Sequence, residues 1–185
     1  MPIGAVLCGG RSSRMGRDKA FVEVDGVPMA RRVADALAAA GCSPVVAIGG
    51  DATGLRSLGL DTLADEWPGE GPVGGVLTAL HAFPDADAVV VVACDLPRLS
   101  AHTVTRLLEA LTGAPSTVAA VAFSDRIEPL CVAWRPAAST LLAAALSDGE
   151  RRLHAVLASV PRVEVAVDLQ DLANVNAPGD LGTSL

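Results

Sequence analysis

Four basic side chains lie within nine positions of an acidic chain: Arg11, Arg14, Arg17 and Lys19. They follow the adjacent glycines Gly9 and Gly10, which end a short apolar run. Glycines let the backbone turn sharply, so that successive N–H groups can converge on phosphate oxygens. Arg14 and Lys19 can add charge-assisted hydrogen bonds to the same phosphates. A glycine pair alone would fit a plain tight turn, but the basic cluster favours a nucleoside-triphosphate-binding loop.

The spacing in this loop differs from that of two common phosphate-binding loops. Lys19 comes three residues after Gly16 and is followed by Ala20, whereas Ser or Thr follows the lysine of a Walker A loop. The two glycines are adjacent, whereas the dinucleotide-binding fingerprint is G-x-G-x-x-G. The loop therefore belongs to neither class.

A carboxylate follows a second apolar run, at residues 88–94. Asp95 ends this valine-rich segment and precedes Leu96 and Pro97. A carboxylate next to a buried strand needs a partner such as a cation, although Asp95 could also simply cap the turn at Pro97. Mg²⁺ commonly binds through one or two carboxylates together with substrate phosphates. Asp95 is therefore the predicted magnesium ligand.

Short apolar runs alternate with stretches of helical character. The predicted strands span residues 3–8, 45–48, 89–94, 118–122, 129–134 and 163–167. The predicted helices span residues 28–40, 73–81, 101–111 after an N-cap at Ser100, 137–146 and 151–157. Such alternation implies a parallel-rich sheet that is covered by helices on both faces. We predict one α/β domain over residues 1–185, a Rossmann-like three-layer α/β/α fold with a mostly parallel sheet and ligands at the carboxyl ends of the strands.

Composition excludes several other classes of protein. The net charge is −7 and aromatic residues make up 3% of the chain, which argues against a nucleic-acid-binding surface. No apolar run approaches the roughly 18 residues that span a bilayer, and the first residues do not resemble a signal peptide. Four cysteines without paired spacing predict buried, reduced thiols: Cys8, Cys42, Cys94 and Cys131. We therefore expect a cytoplasmic protein.

The string L-x-G-G-x-S-x-R-M-G-x-D-K, residues 7–19, resembles the signature of the molybdenum cofactor guanylyltransferase (MobA) family. This family belongs to the nucleoside-triphosphate transferase superfamily, whose fold is similar to that of the nucleotide-diphospho-sugar transferases. The family usually has Ala where this chain has Cys8. The resemblance implies that the loop binds the nucleotide base and phosphates through Leu7, Cys8, Gly9, Gly10, Arg14, Gly16 and Lys19.

Three further motifs extend the resemblance. The segment G-P-V-G-G, residues 71–75, is similar to a family loop that encloses the nucleotide, here through Gly71, Pro72 and Gly75. Asp65 falls where the family places a guanine-recognising Asp, and Asp61 is the alternative. A carboxylate can accept hydrogen bonds from the N1–H and 2-amino edge of guanine. The segment C-D-L-P, residues 94–97, resembles the family's metal site and again singles out Asp95.

The acceptor side is implied by two motifs nearer the C-terminus. The run R-I-E-P-L, residues 126–130, and the ending N-x-N-x-P-x-D-L, residues 174–181, resemble family segments. They imply Arg126, Asn174 and Asn176 as acceptor-binding residues, although Asn is also common in turns. Arg151 and Arg152 are weaker candidates, because arginines at the start of a helix are often merely exposed.

The resemblance implies transfer of GMP from GTP to the molybdenum–molybdopterin cofactor, with Mg²⁺ as cofactor and Lys19, Arg14 and Asp95 as catalytic residues. It also implies proteins that deliver and collect the molybdenum cofactor. Two alternatives within the class stay open: a CTP-dependent molybdopterin cytidylyltransferase, or a guanylyltransferase with another acceptor. Gly9-Gly10 favours guanine, because cytidylyl relatives usually carry Ala-Gly. A non-catalytic nucleotide-binding module is the alternative from another class.

Overall fold

A seven-stranded sheet runs through the described part of the chain, which in this computed structural model is residues 1–9 and 18–175. The strands of this sheet are β1 (Ile3–Leu7), β4 (Val45–Ile48), β5 (Asp61–Leu63), β6 (Val89–Ala93), β7 (Ala119–Phe123), β8 (Ile127–Trp134) and β9 (Arg162–Ala166). A separate two-stranded ribbon pairs β2 (Glu23–Val24) with β3 (Val27–Pro28). The order in the large sheet is β5-β4-β1-β6-β8-β7-β9, and β8 runs antiparallel to both of its neighbours. The sheet is therefore mostly parallel.

Helices cover both faces of this sheet. They are α1 (Met29–Ala39), α2 (Ala52–Ser57), α3 (Gly71–Ala82), α4 (Ala101–Gly113), α5 (Ser139–Ser147) and α6 (Leu153–Ser159). Side chains of a strand alternate between its two faces. In β6, Val90 belongs to the core cluster that includes buried residues of α1, α2 and α4, whereas Val91 belongs to the cluster that includes buried residues of α3, α5 and α6. All five residues of β6 are buried, as expected for a strand with helices on both sides. The predicted three-layer α/β/α fold is confirmed.

Most predicted elements lie within a few residues of their observed bounds. The Ser100 N-cap is confirmed, because its side chain accepts a hydrogen bond from the Thr103 N–H at 3.2 Å. The helix predicted at 137–146 is divided into a 3₁₀ turn, Pro136–Ala138, and α5. The sequence analysis missed α2, β5, the β2–β3 ribbon and two further 3₁₀ helices, Lys19–Phe21 and Leu169–Leu172.

The strand register brings the predicted loops to one edge of the sheet. Leu7, the last residue of β1, pairs with Ile48 in β4 and with Ala93 in β6. Because these strands are parallel, the segments after β1, β4 and β6 all emerge at the same edge. Leu130 reaches this edge as well, because the neighbouring Cys131 pairs with Val92 near the end of β6. No helix within residues 1–9 and 18–175 is long and apolar enough to cross a bilayer.

Candidate active site

A cavity of about 950 Å³ opens at this carboxyl edge of the sheet. Its walls come from the ends of β1, β4 and β6, the amino-terminal turn of α3 and one residue of β8, together with the start of the 3₁₀ helix at Lys19 and the segment between β5 and α3. Nine residues predicted from the sequence line it: Leu7, Cys8, Gly9, Lys19, Asp65, Gly71, Pro72, Gly75 and Asp95. Six lining residues were not predicted: Asp18, Ile48, Gly69, Ala93, Cys94 and Leu130. The cavity falls within the size range of small-molecule sites, roughly 300–1,000 Å³.

Lys19 and Asp95 form an ion pair inside this cavity. The Nζ atom of Lys19 lies 3.1 Å from Oδ2 of Asp95, and the two side chains are 23% and 21% exposed. The Asp18 side chain accepts a hydrogen bond from the Ala20 N–H at 3.1 Å and so caps the short 3₁₀ helix that carries Lys19. Ala20 is fully buried and anchors this helix to the core. Lys19, one of the four cationic residues of the predicted phosphate-binding loop, is therefore held at the predicted metal-binding carboxylate.

The turn that carries Asp95 is fixed from two sides. Leu96 is fully buried, and Arg32 of α1 donates a hydrogen bond from Nε to the carbonyl oxygen of Pro97 at 2.9 Å. On the other side, the N–H of Val175 donates to the carbonyl oxygen of Asp95 at 3.0 Å. The chain at Val175, which follows the predicted acceptor-binding Asn174, therefore runs beside Asp95.

Glu128 is a second carboxylate in this neighbourhood, and the sequence analysis did not select it. Burial raises its pKa above the usual value, and the negative charge of Asp95 acts in the same direction. A hydrogen bond from the Leu130 N–H at 3.1 Å and the positive charge of Arg126 oppose that rise in pKa. The R-I-E-P-L run already contained this glutamate, so its position in that motif was the available signal.

Asp65 rather than Asp61 lies at the cavity. Asp61 begins the edge strand β5 and is exposed, and it is absent from the cavity wall formed by the described residues. The Oδ1 atom of Asp65 accepts hydrogen bonds from the Trp67 N–H at 3.0 Å and from the Thr78 hydroxyl at 3.1 Å. The guanine-recognition role that the resemblance gave to Asp65 stays a prediction.

Two glycines of the cavity wall differ in their surroundings. A Cβ atom on Gly75 would lie 3.2 Å from a Leu7 methyl group, so this glycine lets α3 approach β1 closely. A Cβ atom on Gly9 would meet no described atom closer than the Gly49 Cα atom at 3.7 Å, an ordinary van der Waals contact. Packing within the described residues does not require glycine at position 9, and the close approach of a ligand at Gly9 stays a prediction.

The remaining predicted residues do not line the cavity or fall outside the described ranges. Arg126 is exposed in the turn between β7 and β8, and Asn174 is exposed beside Val175. Arg151 and Arg152 form ion pairs with Glu70 and Glu150. Gly10, Arg14, Gly16 and Asn176 lie outside the described residues. All four cysteines are buried free thiols, as predicted.

A mostly parallel α/β sheet with a Lys–Asp pair and a glycine-lined cavity at its carboxyl edge fits the nucleotidyltransferase class, and comparison with known proteins shows this class. Residues 4–164 match the family described as the MobA-like NTP transferase domain, and the chain belongs to this family. A molybdenum cofactor guanylyltransferase of Xanthomonas euvesicatoria is 36% identical over 95% of this chain and 89% of its own length. One of Cereibacter sphaeroides is 35% identical over 97% and 93%.

Solved structures agree with this family assignment. The molybdopterin-guanine dinucleotide biosynthesis protein A of Archaeoglobus fulgidus superposes with a TM-score of 0.78 at 25% identity, over 98% of this chain and 95% of that one. The 2-C-methyl-D-erythritol 4-phosphate cytidylyltransferase of Thermus thermophilus superposes with a TM-score of 0.71 at 19% identity, over 98% and 96%. The second likeness concerns the fold alone, because enzymes with other acceptors share it.

Proposed function

We propose that this protein transfers GMP from GTP to the terminal phosphate of the molybdenum–molybdopterin cofactor. An oxygen of the acceptor phosphate attacks the α-phosphorus of GTP, and the bond from that phosphorus to the oxygen bridging to the β-phosphorus breaks. The products are the guanine dinucleotide form of the cofactor and pyrophosphate. The acceptor phosphate is already an anion, so the reaction needs alignment and charge stabilisation rather than a protein nucleophile.

The observation that carries this proposal is the pairing of Lys19 with Asp95 in the cavity. Both side chains are less than one-quarter exposed, so their charges act in a partly desolvated site. In the proposed reaction, Lys19 neutralises the departing phosphates, and Arg14 does so with it. A protein that only binds nucleotide has no evident need for a carboxylate at the reacting phosphates, which counts against the non-catalytic alternative.

The carboxylates at this edge of the sheet suit a magnesium ion. Asp95 lies in the cavity wall, and Glu128 is close enough for the charge of Asp95 to affect its pKa. Mg²⁺ keeps several waters and commonly takes one or two carboxylates besides substrate phosphates. Asp95 would hold the ion, which when bound would polarise the α-phosphoryl group.

The base and the acceptor are proposed to lie at different parts of the cavity. Asp65 would accept hydrogen bonds from guanine, while Leu7, Cys8, Gly9 and the α3 turn would enclose the nucleotide. Asn174 and Asn176 would reach the acceptor, because their chain segment is bonded to Asp95 through Val175. Arg126 would join them from the β7–β8 turn. The names of the relatives support the molybdenum cofactor as acceptor, and the cytoplasmic location stays a prediction.

The test is pyrophosphate release from each of the four nucleoside triphosphates, with Mg²⁺ and a molybdopterin-loaded carrier protein. With GTP, we expect pyrophosphate release only when the molybdopterin-loaded carrier is present. Faster release with CTP would overturn the guanylyltransferase proposal in favour of a cytidylyltransferase. Nucleotide binding without release from any of the four would instead favour a non-catalytic module.

A further inference from the structure

Among the described residues, two threonines carry the buried hydroxyl groups, and each is 2% exposed. The hydroxyl of Thr78 in α3 contacts Asp65, and the hydroxyl of Thr103 in α4 contacts Asp171 at 2.6 Å. A buried hydroxyl must keep its hydrogen bonds, because leaving it unpaired costs stability. Thr78 keeps them by holding a carboxylate of the cavity wall.

Thr78 joins three neighbouring groups around Asp65. Its Oγ1 atom accepts a hydrogen bond from the Glu66 N–H at 3.0 Å and lies 3.1 Å from Oδ1 of Asp65 and 3.0 Å from the Gly74 carbonyl oxygen. The hydroxyl has one proton, so these two acceptors share it. Together with the Trp67 N–H, the hydroxyl places two donors on Oδ1 of Asp65. Neither of these bonds uses Oδ2.

Gly74 makes this arrangement sterically possible. A Cβ atom at residue 74 would lie 2.8 Å from the Trp67 carbonyl oxygen and 2.9 Å from the Trp67 Cβ atom. The segment that carries Asp65 can therefore lie directly on α3, one helical turn before Thr78. The same helix supplies Gly71, Pro72 and Gly75 to the cavity wall. Helix α3 thus carries both the wall of the nucleotide cavity and the anchor of Asp65.

We propose that Thr78 is a positioning residue for base selection. Its buried hydroxyl holds Oδ1 of Asp65, and this leaves Oδ2 to accept the N1–H of a 6-oxopurine. Adenine has an acceptor nitrogen at N1, so a carboxylate oxygen held at that point disfavours it. The inference rests on the proposed use of GTP and adds the residue that makes Asp65 selective.

The experiment measures the dissociation constants of GTP and ATP by calorimetry for the wild type and for three variants at residue 78. The proteins form two matched comparisons, each with and without the hydroxyl. Thr78→Val differs from the wild type essentially by the hydroxyl, and Thr78→Ala differs from Thr78→Ser in the same way. We expect the preference for GTP over ATP to fall about tenfold when the hydroxyl is absent, the size of one hydrogen bond. Thr78→Ser should keep most of the preference. The serine–alanine pair decides the question if Thr78→Val does not fold.

Thr103→Val is the matched control, because it removes an equally buried hydroxyl that also contacts a carboxylate. It should lower the melting temperature and leave the GTP/ATP preference unchanged. An unchanged preference in the variants without the Thr78 hydroxyl, or an equal loss in Thr103→Val, would overturn the positioning role. If the wild type itself does not prefer GTP, the proposed function fails and the role of Thr78 fails with it. If the wild type prefers GTP and Asp65→Asn loses that preference while Thr78→Val keeps it, only the role of Thr78 fails.

Discussion

Lys19 Nζ and Asp95 Oδ2 lie 3.1 Å apart although 76 residues separate them in the chain. They meet because β1 and β6 are adjacent parallel strands, so the segments after these strands emerge together. The pair joins the glycine-rich loop to the C-D-L-P turn, two motifs that the sequence presents separately. It also fixes where the triphosphate of a bound nucleotide is expected to lie.

Replacing Lys19 with Ala should lower kcat/KM for guanylyl transfer by more than about 100-fold, because an electrostatic stabiliser of the leaving group is lost. Lys19→Arg keeps the charge and should recover part of the rate. Steady-state pyrophosphate release measures both variants. The melting temperature should change little, because partly exposed ion pairs contribute little to stability. An Ala variant as active as the wild type would contradict the proposed role.

Asp95→Asn should lower turnover by about the same factor, more than about 100-fold. The amide keeps the shape of the side chain and removes the charge that would hold Mg²⁺, and chelation of Mg²⁺ should abolish wild-type activity. Asp87→Asn is the control, because Asp87 is a largely exposed carboxylate whose partner is the N-terminal amine. Near-normal turnover of purified Asp95→Asn would rule out the metal assignment.

Gly75→Ala should destabilise the fold by about 1–3 kcal/mol, because the new methyl group presses against Leu7 and overpacking is costly. The contact would be 3.2 Å, and both residues line the cavity, so GTP binding should weaken as well. The matched control is Gly113→Ala at the end of α4, where an added Cβ meets nothing within 4 Å. This control should be neutral or stabilising. Denaturant unfolding compares the free energies of unfolding of the two variants. Equal stability of Gly75→Ala and Gly113→Ala would show that the Leu7 side chain moves aside without cost, which would contradict the prediction.

The pH dependence of stability should include a contribution from Glu150. Hydrogen bonds and charge from Arg152 lower its pKa from 4.5 to about 2. A carboxyl group with a lowered folded-state pKa adds stability above its unfolded pKa, and that contribution is lost as the pH falls from about 4.5 through about 2. Glu150→Gln should therefore lower the free energy of unfolding at pH 7 more than at pH 2, by a small amount because the partner Arg152 is 71% exposed.

Urea unfolding at the two pH values measures this effect. Glu109→Gln, at an exposed glutamate of α4, controls for the loss of a surface charge. An equal loss of stability at pH 7 and pH 2 in Glu150→Gln would show that the hydrogen bonds to Arg151 and Arg152 do not require the ionised carboxylate.

Local patterns in the sequence predicted much of this fold. The valine run of β6, the Ser100 N-cap and the strand at Val45–Ile48 follow from burial and capping rules that act within a few residues. The β2–β3 ribbon has only two residues in each strand, too few for a periodic pattern. The antiparallel insertion of β8 between β6 and β7 depends on long-range pairing, which an apolar run does not encode.

The sequence predicted the site residues that belong to a recognisable motif. It did not predict residues that reach the site only through packing. Asp95 and Lys19 lie in recognisable strings, and the structure brings them together. Thr78 reads as an ordinary residue of an apolar helix, and its bond to Asp65 becomes visible only when α3 lies against the segment after β5. The ion pair between Arg151 and Glu70 is equally hidden, because 81 positions separate the two residues.

The fate of the α-phosphorus of GTP tests the central claim most directly. GTP radiolabelled at the α-phosphorus or at the γ-phosphorus is incubated with the enzyme, Mg²⁺ and the molybdopterin-loaded carrier, and the products are separated. The proposal predicts that the α-label enters the pterin dinucleotide and the γ-label enters pyrophosphate, with both transfers more than about 100-fold slower in Lys19→Ala. An α-label found only in free GMP or GDP, or left in intact GTP, would contradict guanylyl transfer to this acceptor.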